Sequence, residues 1–206
     1  MKKNNYFNTV KFGNQSAKAL IGMGNLLDAA EEKIKLKLFY SALIDVDKAM
    51  AVSDSYGPTY YLKSLCMSGL NNYEEAVICI NKCLELDPDY PEALIERGNL
   101  LQKTLNYGQC ILDYSKALEQ EPNNMDALYN RGYVYLINKK YDEAIEDFSK
   151  VIENHPFDAD AYNNLGMACY YKGEINRAVA LLYKSLELDP NSNALKNLNL
   201  IQKKKK

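Results

Sequence analysis

The chain has 206 residues, 47% of them hydrophobic and 25% charged, with a formal net charge of −2. Those proportions exclude a disordered, collagenous or membrane-embedded chain and fit a globular one long enough to bury a core, as one or two domains. A near-neutral balance gives no overall electrostatic pull towards nucleic acid, and no apolar run approaches the roughly 18–20 residues of a membrane span.

The chain opens with MKKNNYFNTVKFGNQSAKAL, two lysines without an apolar stretch behind them, which makes a poor secretory signal. Residues 1–22 are expected to form either a loose arm or an extra helix sealing the start of the core. Five cysteines are an odd number and suggest no disulfide framework. Together these features predict a reducing, cytoplasmic setting.

From there a period governs the sequence. Pro88, Pro122, Pro156 and Pro190 recur every 34 residues. The same step joins the small residues Ala30, Ser64, Gly98, Gly132 and Gly166, and again Ala42, Ala76, Cys110, Ala144 and Ala178. It joins the bulky residues Phe39, Tyr73, Tyr107, Tyr141 and Ile175, and the large side chains Val46, Ile80, Tyr114, Phe148 and Leu182. A fixed period of this length is the mark of a repeat architecture. It places repeats at 23–56, 57–90, 91–124, 125–158 and 159–192, the first degenerate, with Asp54 where proline is expected.

Within a repeat, stretches such as DALYNRGYVYLI and DEAIEDFSKVIE place apolar residues at i, i+3 and i+4, which predicts two helices. Breaks between helix pairs are expected near Gly57, Pro91, Met125 and Ala159, with Asn124, Asp158 and Asn193 as N-caps. A helix-interior glycine costs about 0.8–1 kcal/mol relative to alanine. Gly132 and its equivalents are expected to offset that by letting the second helix of each pair approach the first. Residues 193–206, NALKNLNLIQKKKK, put Leu195, Leu198 and Ile201 on one face of a capping helix. Its closing lysines, Lys203–Lys206, complement the helix dipole; a solvated tail and an anionic-surface or nuclear-import signal are the alternatives for them.

On these columns, and on the copies ALYNRGYVYLINKKYDEAIEDFSKVIENHP and AYNNLGMACYYKGEINRAVALLYKSLELDP, the chain resembles the tetratricopeptide repeat family over residues 23–192. The resemblance implies an all-α, right-handed superhelical solenoid of about five helix–turn–helix repeats with a C-terminal cap. It implies too that the first helices line a concave groove holding a peptide or a partner's helix. The groove columns then read Tyr61, Ile95, Tyr129 and Asn163; Leu62, Glu96, Asn130 and Asn164; and Leu65, Asn99, Tyr133 and Met167. Glu92, Asp126 and Asp160 stand at the edge. Tyr129 and Tyr133 are the expected anchors, and Asn99, Asn130 and Asn164 the groups that order a partner's backbone. The carboxylates predict a neutral or basic partner segment with apolar anchors. Family members that clamp a chaperone's C-terminal carboxylate use two lysines, an arginine and two asparagines. Ile95, Asn99, Asn130, Asp160 and Asn164 supply only the asparagines, so such a tail is not the expected partner.

Other chemistry is thin. His155, the sole histidine, lies in a loop beside Pro156. Cys79 and Cys83, one turn apart, suit either a metal or the core, with no second ligand pair to complete a site. Arg97 and Arg131 precede the small residue, and Asp113 and Asp147 share a column of the second helix. Those positions predict Arg97–Asp113 and Arg131–Asp147 ion pairs worth about 0.2–1 kcal/mol each if partly exposed; an arginine pair for phosphate or carboxylate is the alternative. The sequence thus predicts a monomeric, non-enzymatic protein–protein interaction module with no cofactor and no metal. A scaffold that self-associates or docks through its convex face or ends is the alternative.

Overall fold

The computed structural model describes residues 17–203. The helices are α1 (Ala17–Lys35), α2 (Phe39–Val52), α3 (Gly57–Gly69), α4 (Tyr73–Leu86), α5 (Pro91–Lys103) and α6 (Tyr107–Gln120). They continue with α7 (Met125–Ile137), α8 (Tyr141–Asn154), α9 (Ala159–Lys172), α10 (Ile175–Leu188) and α11 (Ala194–Lys203). No strand occurs among the described residues. The bulky column opens every even-numbered helix from α2 to α10, and α3, α5, α7 and α9 open where breaks were expected. Two compact units divide at Leu100 and Leu101, within α5. Helix α1 starts at Ala17, so residues 17–22 are helical; residues 1–16 and 204–206 lie outside the described residues.

Each helix pair turns through a left-handed residue. Lys37, Asn71, Leu105 and Lys139 have φ of 59°, 62°, 59° and 61°, and Gly173 has 98°. The next residue's N–H reaches back to a carbonyl five residues earlier, as in Leu38 to Lys33 (2.8 Å), Asn106 to Leu101 (3.2 Å) and Glu174 to Cys169 (2.9 Å). This is the Schellman closure, which satisfies carbonyls at the helix end and favours glycine at the left-handed position. Leu105 adopts it with its side chain 67% exposed, so little burial offsets the strain. A left-handed L-residue costs roughly 1–2 kcal/mol, part of which glycine returns as unfolded-chain entropy. Leu105→Gly should therefore stabilise the protein by about 0.5–1 kcal/mol in urea denaturation.

Between pairs, the prolines occupy the second position of a tight turn. Asn124 N–H donates to the Glu121 carbonyl across Pro122 (3.0 Å), and Asp158 N–H to the His155 carbonyl across Pro156 (3.2 Å). His155 itself is exposed. Asn72, Asn124 and Asp158 cap α4, α7 and α9, accepting from Glu75, Ala127 and Ala161 N–H. Asn193 immediately precedes α11, and its carbonyl accepts from Asn197 N–H at 3.2 Å.

In the N-terminal unit, Met23, Leu27, Ala30, Ala42, Val46, Tyr56 and Leu62 form one buried cluster. In the C-terminal unit, Ala144, Phe148, Leu165, Ala178 and Leu182 pack with Ala194, Leu198 and Ile201 of α11, which covers the end of that core. Ala42, Ala76, Cys110, Ala144 and Ala178 are all fully buried. The small column does what its size suggests. A Cβ on Gly132 would lie 3.2 Å from Asp147 Cβ and Phe148 Cε1, and one on Gly166 3.0 Å from Leu182 Cγ. Ser64, in the same column, uses its hydroxyl to donate to the Ala76 carbonyl at 2.9 Å.

Candidate partner-binding surfaces

A cation stands just before the small column in three repeats, and each reaches back sixteen residues to the preceding second helix. Lys63 Nζ on α3 meets Asp47 of α2 (3.1 Å), Arg97 Nη1 on α5 meets Asn81 of α4 (3.3 Å), and Arg131 Nη1 on α7 meets Ser115 of α6 (3.0 Å). The sequence pattern points only to partners sixteen residues ahead and does not reveal these. Arg131 engages ahead as well: Nε and Nη2 donate to Asp147 Oδ2 and Oδ1 at 2.8 and 2.7 Å, a bidentate pair. Its side chain is 17% exposed and that of Asp147 only 2%, so the expected partly exposed pair is in fact a buried one. Burial raises the Asp147 carboxyl, and the Arg131 hydrogen bonds and charge act against that. With its guanidinium turned into the helix packing, Arg131 is no anion receptor. The Arg97–Asp113 pairing would join different units; within its own unit, Asp113 accepts from Gln109 Nε2 at 2.9 Å.

Burial also governs the cysteines. It pushes the Cys79 thiol to about 11 and that of Cys83 to about 12, so neither is a thiolate at neutral pH. Both pack as small apolar side chains.

On the C-terminal unit the first-helix columns are largely spoken for. Asn197 Nδ2 of α11 donates to Asn163 Oδ1 (2.8 Å), Asn163 Nδ2 to Asn164 Oδ1 (3.3 Å), and Asn164 Nδ2 to the Tyr129 hydroxyl (2.9 Å). This relay ties α11, α9 and α7 together. The Tyr129 ring meets Phe148 edge-on, with centroids 5.6 Å apart, and burial pushes its hydroxyl up to about 12. Asn163 and Met167 are buried, at 6% and 8% exposure. For Asn163 the physical reason is α11, whose Asn197 amide bonds to it. Asn130 is half-buried, and Tyr133 is the open member of the expected anchoring pair, at 42% exposure.

The N-terminal unit is more open. Glu31, Ile34 and Lys35 of α1, Tyr61, Leu62 and Leu65 of α3, and Tyr90 and Glu92 at the start of α5 surround a cavity of about 230 Å³. Tyr61 and Tyr90 meet edge-to-face, with centroids 5.3 Å apart, and form an aromatic wall. Lys35 Nζ is held by Glu32 Oε1 at 2.6 Å. The expected contact residues Tyr61 and Leu65 thus share one hollow; Ile95, Glu96 and Asn99 are half-buried on α5. The unexpected members are Glu31, Ile34 and Lys35 of α1, and Tyr90. Tyr90 sits in the proline turn, a position that helix periodicity does not address.

Family models described as tetratricopeptide repeat match residues 57–90, 126–158 and 159–192. Solved structures with the same fold include YrrB, described as a TPR protein with an unusual peptide-binding site. It aligns at a TM-score of 0.73 and 23% identity, over 84% of this chain and 90% of that one. A MamA protein aligns at 0.70 and 23% identity, over 82% and 92%. The Pseudomonas aeruginosa protein PilF aligns at 0.74 and 16% identity, over 82% and 78%. Identities this low establish the fold alone. Among curated proteins the sequence finds no match.

Proposed function

The chain belongs to the tetratricopeptide-repeat family, and we propose that it acts without chemistry of its own, receiving a segment of a protein partner on its first helices. Repeats of this kind are protein-interaction modules. The observation behind the finer reading is the hollow between α1, α3 and the start of α5. Its apolar lining is Ile34, Leu62 and Leu65 with the edge-to-face Tyr61–Tyr90 pair, and its acidic lining is Glu31 and Glu92. Such a site takes an apolar side chain flanked by neutral or basic residues, and disfavours an acidic tail. On the C-terminal unit, Tyr133 is one of several exposed aromatic side chains. No helix among the described residues is long and apolar enough to cross a membrane. We assign the chain to the cytoplasm, as a monomer.

Peptide display on the immobilised chain tests this reading. Selected sequences should carry a large apolar residue beside lysine or arginine. Leu65→Asp should weaken them by about 30-fold, the effect of losing a hot spot of roughly 2 kcal/mol. Selection of acidic peptides, or equal binding to Leu65→Asp, would contradict it.

One observation favours the scaffold alternative. Ile44 of α2 and Ile78 of α4 share a column and are 57% and 61% exposed. If they mediate self-association, Ile44→Lys with Ile78→Lys should lower the sedimentation mass; a wild-type chain that already sediments as a monomer removes that reading.

A further inference from the structure

The second helices of the N-terminal unit carry a surface that the first-helix hollow does not use. Tyr40 and Ile44, one turn apart on α2, are 74% and 57% exposed. Ile78, at the position of α4 equivalent to Ile44, is 61% exposed. Ile78 also lines a cavity of about 310 Å³, to which α2 contributes Met50 and α3 contributes Tyr60. Large exposed apolar side chains gathered around a hollow, with charges at its edge, mark a site of protein contact.

Those charges give the sign of the partner. Lys63 Nζ is held by Asp47 Oδ1 at 3.1 Å, and Lys82 Nζ by Glu85 Oε2 at 3.0 Å. Glu75, which lines the same cavity, has no such cation. Among the described residues its carboxylate accepts only from the Cys79 thiol, a weak contact at 3.9 Å. Lys63 is the cation whose charge it shares, and Asp47 already binds that group. Nor is Glu75 spent on its own helix end. A glutamate three residues after the N-cap commonly bonds back to the cap's N–H. Here Asn72 N–H donates instead to the Met67 carbonyl, at 2.8 Å. The cavity thus combines apolar side chains with one carboxylate in excess of its cations.

We propose that α2 and α4 form a second docking surface, for a basic amphipathic helix of a protein partner lying on Ile44 and Ile78. One large apolar side chain of that helix enters the cavity beside Met50 and Tyr60. A lysine or arginine one turn away pairs with Glu75, and an acidic helix is disfavoured by the same carboxylate. Helix sides offer side chains, not the backbone edge that an added strand needs, so helix-on-helix packing is the mode of recognition. The chain then holds two segments independently, one on its first helices and one on its second.

Methyl NMR of the full-length protein with designed peptides tests this. The probes are alanine-based helices of equal length. One carries leucines one turn apart with flanking lysines, one has glutamates for the lysines, and one has glutamines for the leucines. The leucine–lysine helix should shift the Ile78 and Met50 methyl signals saturably and leave that of Ile34, in the first-helix hollow, unmoved. The other helices should bind several-fold more weakly. Ile78→Lys, at an exposed position, should weaken the leucine–lysine helix by about tenfold. Glu75→Gln should weaken it several-fold and Leu65→Asp not at all, with thermal unfolding as the check on folding. A leucine–glutamate helix that binds as tightly, or no saturable shift at Ile78 with any probe, overturns the proposal. So does binding that Leu65→Asp abolishes and Ile78→Lys spares, which assigns the helix to the first-helix hollow. Ile78 signals that move on dilution of the protein alone, with a dimer in sedimentation, overturn it too, since the occupant is then a second copy. A failure to find any Leu65-dependent peptide by display defeats the first-helix site and leaves this surface standing.

Discussion

Arg131→Leu should destabilise the protein by about 3–5 kcal/mol at neutral pH, because it leaves Asp147 ionised, buried and without its counter-ion. The carboxylate is 2% exposed and takes both its close hydrogen bonds from Arg131, at 2.7 and 2.8 Å. Only the residual 17% exposure of the arginine softens the loss, by letting some water in. Burial sets the sign with pH. In the variant, the folded-state carboxyl is raised above its unfolded value of about 3.9, so the folded state binds the proton more tightly. The variant's stability is thus fully present below about pH 4 and is lost as pH rises through the raised value. Its deficit against wild type should be smaller at acidic than at neutral pH in urea denaturation. The last repeat already shows the remedy: at the equivalent positions it has Leu165, which is buried, and Leu181, which packs on the same core. Arg131→Leu with Asp147→Leu should recover most of the loss, since a buried ion pair is often replaced by apolar side chains at no net cost. A single variant as stable as wild type would contradict this role for the pair.

Gly132→Leu is expected to cost about 1–3 kcal/mol, near the upper end, by overpacking the contact between α7 and α8. The first added carbon already sits 3.2 Å from Asp147 Cβ and Phe148 Cε1. The three carbons beyond it have nowhere to go without displacing the side chain that Arg131 holds. Gly132→Ala separates the two effects. Its Cβ needs only a small adjustment, and alanine returns about 0.8–1 kcal/mol of helix propensity, so that variant should be close to neutral. Chemical denaturation of both distinguishes crowding from any special need for glycine, and an unchanged midpoint for Gly132→Leu would sink the close-approach explanation.

Most of the architecture could be read in advance because its causes repeat. Packing one pair on the next demands a small residue, an alanine and a bulky opener at fixed offsets, so these stand out as columns. The turns do not. Lys37, Asn71, Leu105, Lys139 and Gly173 share one backbone conformation but not one chemistry, since the Schellman hydrogen bonds impose it whatever the side chain. The two arginines were visible, yet the partners sixteen residues behind were not, because Asp47, Asn81 and Ser115 have only polarity in common. The proposed binding face was the least legible part. Column position marks a residue as belonging to a first helix, but α11 decides that Asn163 is buried, and the Asn164 bond decides that the Tyr129 hydroxyl is occupied. Contacts of that kind link one helix pair to the next, and a column of similar residues does not announce which side chains will meet.

The hollow bounded by Tyr61, Leu65, Tyr90 and Glu92 is central to the proposed function, as the receptor of an apolar side chain flanked by basic ones. Calorimetric titration of one display-selected peptide into wild-type protein and into Leu65→Asp, each confirmed folded by circular dichroism, tests it most directly. The expected result is measurable heat with wild type and an affinity about 30-fold lower with the variant, equivalent to a hot spot of roughly 2 kcal/mol. Equal affinities for the two proteins would contradict it.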